Sequence, residues 1–260
     1  MNDILAPTPT LTFLIGGLGA GKTELALNLA LSYAEVHGSG RVHLVDLDVV
    51  NPYFRVRKVR EELSRSGVHV VTPDAKVREG DLPALPAAAW GAFEAPQEWT
   101  VVDIGGGELG LRPLGRIREI ARCRPGSVYF VVNPYRPGYR TLEEMEKNFR
   151  HLQALSALTV THLVANPHLV HETTGDLFQR GLTQVQSLSE RLSLPVAFAM
   201  AAEEIAAEVR PAAGVPVLTV RRFWRTPWKF GLGQDTSSGD PVLDAAATKV
   251  RFGAWQKTDG

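Results

Sequence analysis

Leu11-Thr12-Phe13-Leu14-Ile15-Gly16-Gly17-Leu18-Gly19-Ala20-Gly21-Lys22-Thr23 decides the fold. Residues 11–15 are apolar on successive positions, as expected of a strand buried on both faces. The next eight residues satisfy G-x-x-x-x-G-K-[ST], and Glu24-Leu25-Ala26 opens a helix behind them. The chemistry explains the residue types. Glycines let successive backbone N–H groups curl around phosphate oxygens, and the start of the helix adds a favourable dipole. A lysine here bridges β- and γ-phosphates, and a hydroxyl here ligates Mg²⁺. A ligand-free glycine turn has no use for Lys22 and Thr23 at these places. Nucleotide contacts are therefore expected from Gly16, Gly17, Leu18, Gly19, Ala20, Gly21, Lys22, Thr23 and Glu24, with Lys22 also a candidate catalytic residue.

Outward from this loop, short apolar runs recur at residues 42–45, 68–71, 100–102, 128–132, 160–165, 195–199 and 215–220. Helical stretches are expected between them at 23–37, 54–66, 139–156, 174–192 and 203–209. In the third of these, Leu142, Met145, Phe149, Leu152 and Leu155 make one apolar face. Alternation of this kind predicts an α/β fold, a mostly parallel sheet with helices on both faces. Residues 73–96 are rich in proline and alanine and read as an excursion, not a second domain. The domain reading is a nucleotide-binding domain over residues 1–230, with a flexible or docking tail over 231–260.

Composition narrows the function classes. A chain of 260 residues, 44% hydrophobic and 22% charged, can bury a core without staples. One cysteine, Cys123, excludes an internal disulfide framework and an iron–sulfur cluster held within one subunit. Twenty-eight basic residues balance twenty-eight acidic ones, which counts against nucleic acid as a partner. No apolar run is long enough to span a bilayer, and the start lacks a secretory pattern, so a cytoplasmic protein is expected.

Two strands end in aspartate: Val45-Asp46-Leu47-Asp48, then Val49-Val50-Asn51-Pro52; and Val102-Asp103, then Ile104-Gly105-Gly106-Gly107-Glu108. In a P-loop protein an aspartate closing an apolar strand reaches Mg²⁺ directly or through water. Gly105 and Gly106 free backbone N–H groups to sense a γ-phosphate, as a switch loop does. A helix cap or turn is the plainer role for Asp103. Asp46 and Asp48 are expected to face opposite ways, so that one faces the phosphates and the other is structural or supporting.

These residues together resemble the MinD/ParA/nitrogenase-iron-protein class of P-loop ATPases, over roughly residues 11–220. The run from Asp46 to Arg55, Asp-Leu-Asp-Val-Val-Asn-Pro-Tyr-Phe-Arg, resembles that of small bacterial proteins grouped with MinD and the cobyrinic-acid synthase nucleotide domains. The resemblance implies that Asp48 helps activate the attacking water, making it a candidate catalytic and metal residue. It also implies that Asp103 contacts Mg²⁺ through water and that the following glycines are switch II. One position departs: many members carry a lysine, at the place of Gly17, that reaches the partner's nucleotide across a dimer. Either charge comes from elsewhere, Arg55, Arg57 and Lys58 being candidates, or that sandwich dimer does not form. A solvated basic face is the preferred reading of those three.

The place for a guanine reader, Val164-Ala165-Asn166-Pro167-His168-Leu169, lacks Asn-Lys-x-Asp. ATP is therefore favoured over GTP, with Asn166 placed to meet an adenine edge or simply to turn before proline. Asn133-Pro134-Tyr135-Arg136-Pro137 ends another strand where ligands sit in such folds, so Arg136 and Arg140 meet a substrate or partner or else serve a structural loop. The aromatic and basic run at 221–229 suits contact with a protein, membrane or single strand, or packing back onto the domain. His151, His168 and His171 lack metal-site spacing, leaving Mg²⁺ as the one metal expected. Three functions compete: an ATPase switch acting on a protein partner or as a homodimer, an ATP-using kinase or amide ligase, and a nucleotide-dependent membrane or nucleic-acid binder. Zero net charge and a weakly apolar tail count against the third. No glutaminase domain follows, which counts against a self-contained glutamine amidotransferase.

Overall fold

The computed structural model describes residues 10–48, 56–72, 87–111, 124, 126–210 and 214–223. Asn51, Pro52, Arg55, Cys123 and the positions from 224 onward, tail included, lie outside the described residues, as do the side chains of Arg57 and Lys58.

The strands are β1 (Leu11–Gly16), β2 (Val42–Leu47), β3 (Val68–Val71), β4 (Trp99–Ile104), β5 (Gly126–Val132), β6 (His162–Ala165), β7 (Val196–Ala202) and β8 (Val217–Val220). The helices are α1 (Lys22–His37), α2 (Val56–Arg65), α3 (Ala87–Glu94), α4 (Gly107–Leu111), α5 (Leu142–Ser156) and α6 (Gly175–Leu192). All eight strands run parallel in the order β3-β2-β4-β1-β5-β6-β7-β8. The α/β reading with a parallel sheet therefore stands.

Parallel strands need a return path over a face of the sheet, and helices on both faces bury it twice. Leu14, Val42, Leu44 and Val101 pack beneath α1 and α2. Phe13, Ile15, Val45, Val102 and Phe130 face the layer of α3, α5 and α6. Helix α1 lies deep, with Leu25 through Ala34 buried without a break. Its apolar residues therefore need no single stripe.

Three sequence expectations are corrected and one is filled in. The stretch 203–209 forms only a 3₁₀ turn, Glu203–Ile205, its backbone closed by three-residue bonds from the Ala206 N–H to the Glu203 carbonyl and from the Glu208 N–H to the Ile205 carbonyl. Within the proline-rich excursion, Ala87–Glu94 is a helix whose Ala89, Ala92 and Phe93 are buried. Helix α5 starts at Leu142, not residue 139, because the Thr141 side chain caps it by accepting from the Glu144 N–H. Of its apolar face, Met145, Phe149 and Leu152 are buried, whereas Leu155 is exposed.

The C-terminal ends of all eight strands share one edge, and β1 lies at its middle. At that edge the chain leaves β1 for α1, with β4 and β5 on either side. This is the place where crossovers diverge and open α/β sheets hold ligands.

Candidate functional site

The loop between β1 and α1 is built by glycines at positions that refuse a side chain. Gly19 and Gly21 have φ of 71° and 99°, the left-handed region. A Cβ on Gly21 would also collide with the Asn166 amide, and one on Gly17 would lie 2.6 Å from the Tyr139 hydroxyl. The turn closes with the Ala20 N–H donating to the Gly17 carbonyl, and α1 begins with Leu25 N–H donating to Gly21. Lys22 is buried, and its Nζ donates to the carbonyls of Gly16 (3.2 Å) and Gly17 (3.0 Å). The ammonium is thus held inside the curl of the loop.

Two long-range contacts brace the loop from outside. The Asn166 side chain, just past β6, donates to the Ala20 carbonyl at 2.7 Å. Arg136, past β5, donates through Nε to the Gly19 carbonyl at 3.0 Å. From the other side, Gly106 lies against the loop: a Cβ there would stand 2.8 Å from Leu18 Cα and 3.1 Å from Lys22 Nζ. Gly105 is buried before it, and Gly107 opens α4 with φ of 72°. The structure therefore brings together the two glycine-rich segments that the sequence separates by some eighty residues.

The acidic strand ends also converge. Asp46 and Asp103 are paired in register on β2 and β4, and both are buried. Each alternates with residues that pack under α1, namely Leu44 and Val101, so both carboxylates face the α1 side. The expectation that Asp46 and Asp48 face opposite ways is corrected here. Residues two apart along a strand share a face, and β2 ends at Leu47, one residue before Asp48. Asp46 Oδ1 accepts the Asp48 backbone N–H at 3.0 Å, which fixes how the chain leaves the strand. Asp48 itself is half-buried.

Thr23 lines a cleft running from the loop towards β8. Its apolar floor includes Leu27, Met200, Val220 and Phe223, and its polar rim includes Glu24, Asn133, Arg136, Asn166, His168 and Arg222. Glu24 accepts the Phe223 N–H at 3.0 Å. Burial first, then the Arg222 and Arg136 guanidiniums, push His168 down to about 4. Burial pushes the Tyr139 hydroxyl up to about 12, against the opposing effect of the Gly17 backbone. His168 and Tyr139 are thus neutral near pH 7. Leu27, Met200 and Tyr139 carry no signal in the sequence, since each reads as an ordinary apolar position. Arg140 is exposed and does not line the cleft. His151 pairs with Glu108 on α4 instead of joining the site.

Hydroxyl and carboxylate oxygens are the donors that Mg²⁺ takes, with waters completing its shell. Thr23 at the second position of α1, with Asp46 and Asp103 side by side on the strands next to the loop, fits that requirement. Two neighbouring carboxylates repel each other, and a cation nearby relieves the repulsion. Among the described residues no group of three or more histidine, cysteine or acidic side chains is gathered to hold a metal alone, and Mg²⁺ bound with phosphates does not need one.

The fold is that of a P-loop NTPase. Solved structures share it: cell division protein FtsY from Thermotoga maritima (TM-score 0.52, 18% identity, 80% of this chain and 66% of that one) and chloroplast FtsY from Physcomitrella patens (TM-score 0.51, 18% identity, 75% and 59%). The chain thus spans less than two thirds of the length of either. No family model matches the sequence, and no curated protein matches it. The narrower resemblance to the MinD/ParA class rests on the motifs alone. Among the described residues no helix is long and apolar enough to cross a membrane.

Proposed function

We propose that this chain is a Mg²⁺-dependent ATP switch, binding and hydrolysing ATP to control a protein partner or its own self-association. The observation that carries the reading is the Lys22-centred phosphate loop with Gly106 packed onto it. A γ-phosphate seated at Lys22 would lie where the backbone after Asp103 can register its presence or loss.

In this reading Lys22 and the loop amides bind the β- and γ-phosphates, and Glu24 and Asn166 line the path to the base. Thr23, Asp48 and Asp103 would hold Mg²⁺, with the Asp46 carboxylate beside Asp103, and the ion's chemistry would be to neutralise charge on the phosphates. Asp48 sits beyond the strand end and orients the attacking water. Asp46 holds the Asp48 backbone in place. Gly105 and Gly106 carry the switch. ATP is preferred because Asn166, with no lysine or aspartate at the offsets of a guanine reader, is the side chain at the β6 end that meets the base. The location is cytoplasmic.

The test is hydrolysis by the purified chain with Mg²⁺ and no added metabolite, together with displacement of one fluorescent nucleotide by ATP and by GTP. Slow turnover and stronger displacement by ATP are expected. Equal or stronger displacement by GTP overturns the base assignment, and turnover that requires a small acceptor overturns the switch in favour of a metabolic enzyme. The partner is sought by affinity capture with protein locked in the ATP state.

A further inference from the structure

Gly17 lacks the side chain that would place a second cation on the phosphate loop, and the structure explains why none fits. The Tyr139 ring occupies the space, its hydroxyl 2.6 Å and its ring carbons 2.8 and 2.9 Å from where a Cβ would stand. Tyr139 is buried and held by its N–H donating to the Arg136 carbonyl at 3.0 Å. The same short loop, between β5 and α5, also brings a cation to the phosphate loop, at Gly19. Asn133 anchors its start: Oδ1 accepts the Tyr135 N–H (3.1 Å), the main-chain carbonyl accepts the Arg136 N–H (3.1 Å), and Nδ2 donates to the His168 carbonyl (2.9 Å). Arg136 then lays its guanidinium along Gly19, Nε donating to the carbonyl at 3.0 Å. The side chain lines the same cleft as Gly21 and Thr23.

A guanidinium has five N–H donors in a planar fork, and the brace to Gly19 uses only Nε. One terminal nitrogen, Nη2, stands 3.5 Å from where a Cβ on Gly19 would be, next to the backbone that curls around phosphates, and the side chain lines the cleft. We infer that Arg136 is a phosphate-binding residue acting in cis, its terminal nitrogens donating to the phosphates of the nucleotide bound in its own chain. The inference rests on the nucleotide-binding reading above and assigns to this loop the second cation that Gly17 cannot supply. Arg136 thus joins two tasks, holding the loop backbone and contacting its ligand. The fork geometry suits phosphate oxygens better than a point charge does.

The test compares the full chain with Arg136→Gln and Arg136→Lys, titrated calorimetrically with Mg-ATP, Mg-GTP and adenosine. Arg136→Gln keeps a donor for the Gly19 carbonyl but loses the charge. It is expected to bind the preferred triphosphate roughly tenfold more weakly or worse, the loss of a charge-assisted hydrogen bond. Adenosine affinity and the melting midpoint without nucleotide should not move, and Arg136→Lys should recover part of the loss. Unchanged triphosphate affinity in Arg136→Gln overturns the assignment. So does an equal loss for adenosine or a lowered nucleotide-free midpoint, which would make Arg136 a brace only. A loss seen only at protein concentrations where the chain self-associates overturns action in cis. A parent chain that binds neither triphosphate instead refutes the nucleotide-binding reading itself, so the two failures are distinguishable.

Discussion

Asp46 and Asp48 differ by two positions and by burial. Asp46 is buried, paired in register with Asp103, and accepts the Asp48 N–H. Asp48 lies outside the strand and is half-buried. Asp48→Ala should keep Mg-ATP affinity within a few-fold and slow single-turnover hydrolysis by roughly 10²–10⁴, the usual cost of losing a positioned base or water. Asp46→Ala leaves the Asp48 N–H without its acceptor and should lower folding stability by about 1–3 kcal/mol in urea unfolding. Normal hydrolysis by Asp48→Ala alongside ATP binding without cleavage by Asp46→Ala would reverse the two roles. His168 gives a second prediction at this scale. Its folded value, pushed down to about 4, lies below the ordinary 6.5 because burial and two guanidiniums disfavour the charged ring. The unfolded chain therefore binds more protons between these values, and stability falls as pH drops from about 6.5 towards 4. Urea midpoints at pH 7 and pH 5 should differ less for His168→Gln than for the parent. An identical pH dependence would contradict the assignment.

The strap that follows β8 is tied to α1 by one buried side chain. Asn28 is fully buried, its Nδ2 donating to the carbonyls of Glu24 (2.8 Å) and Arg221 (2.9 Å) and its Oδ1 accepting the Arg221 N–H at 2.9 Å. Arg221 then pairs with Glu62 on α2 and lies over the Phe223 ring, 4.3 Å from its centroid. Phe223 lines the cleft, with its N–H donating to Glu24. The chain after β8 thus links the helix that follows the phosphate loop to the helix that follows β2. Asn28→Leu should cost about 2–3 kcal/mol, because the Arg221 N–H and carbonyl lose their partners in a desolvated place. Hydrogen exchange at Leu218–Val220 should accelerate while the amides of β1 and β4 remain protected. Uniform acceleration across the sheet would mean that Asn28 stabilises the whole fold and does not specifically tie down its edge. None of this was legible from Asn28 itself, which reads as a polar interruption of an apolar helix. Its partner lies 193 residues away.

At the scale of the molecule, the parallel sheet was legible because strands covered on both faces leave continuous apolar runs such as Phe13-Leu14-Ile15 and Val128-Tyr129-Phe130. The glycine-rich turn between β1 and α1 was legible because its glycines, lysine and threonine follow the pattern that phosphate chemistry calls for. The strand order was not, since pairing of β4 between β2 and β1 depends on distant segments meeting. Helix α3 was hidden for a different reason: its buried side chains, Ala89, Ala92 and Phe93, follow a proline-rich stretch that masks their spacing. The meeting of Tyr139 with Gly17, and of Gly106 with Leu18, likewise arises only when β5 and β4 flank β1. The central claim, that this edge of the sheet binds a nucleoside triphosphate around Lys22, is tested most directly by calorimetric titration of the full chain and of Lys22→Ala with Mg-ATP, each checked by circular dichroism. Saturable binding by the parent is expected, with a loss of roughly a hundredfold or more in a variant of unchanged secondary structure, as for removing a desolvated phosphate cation. A folded Lys22→Ala variant with the parent's affinity would contradict it.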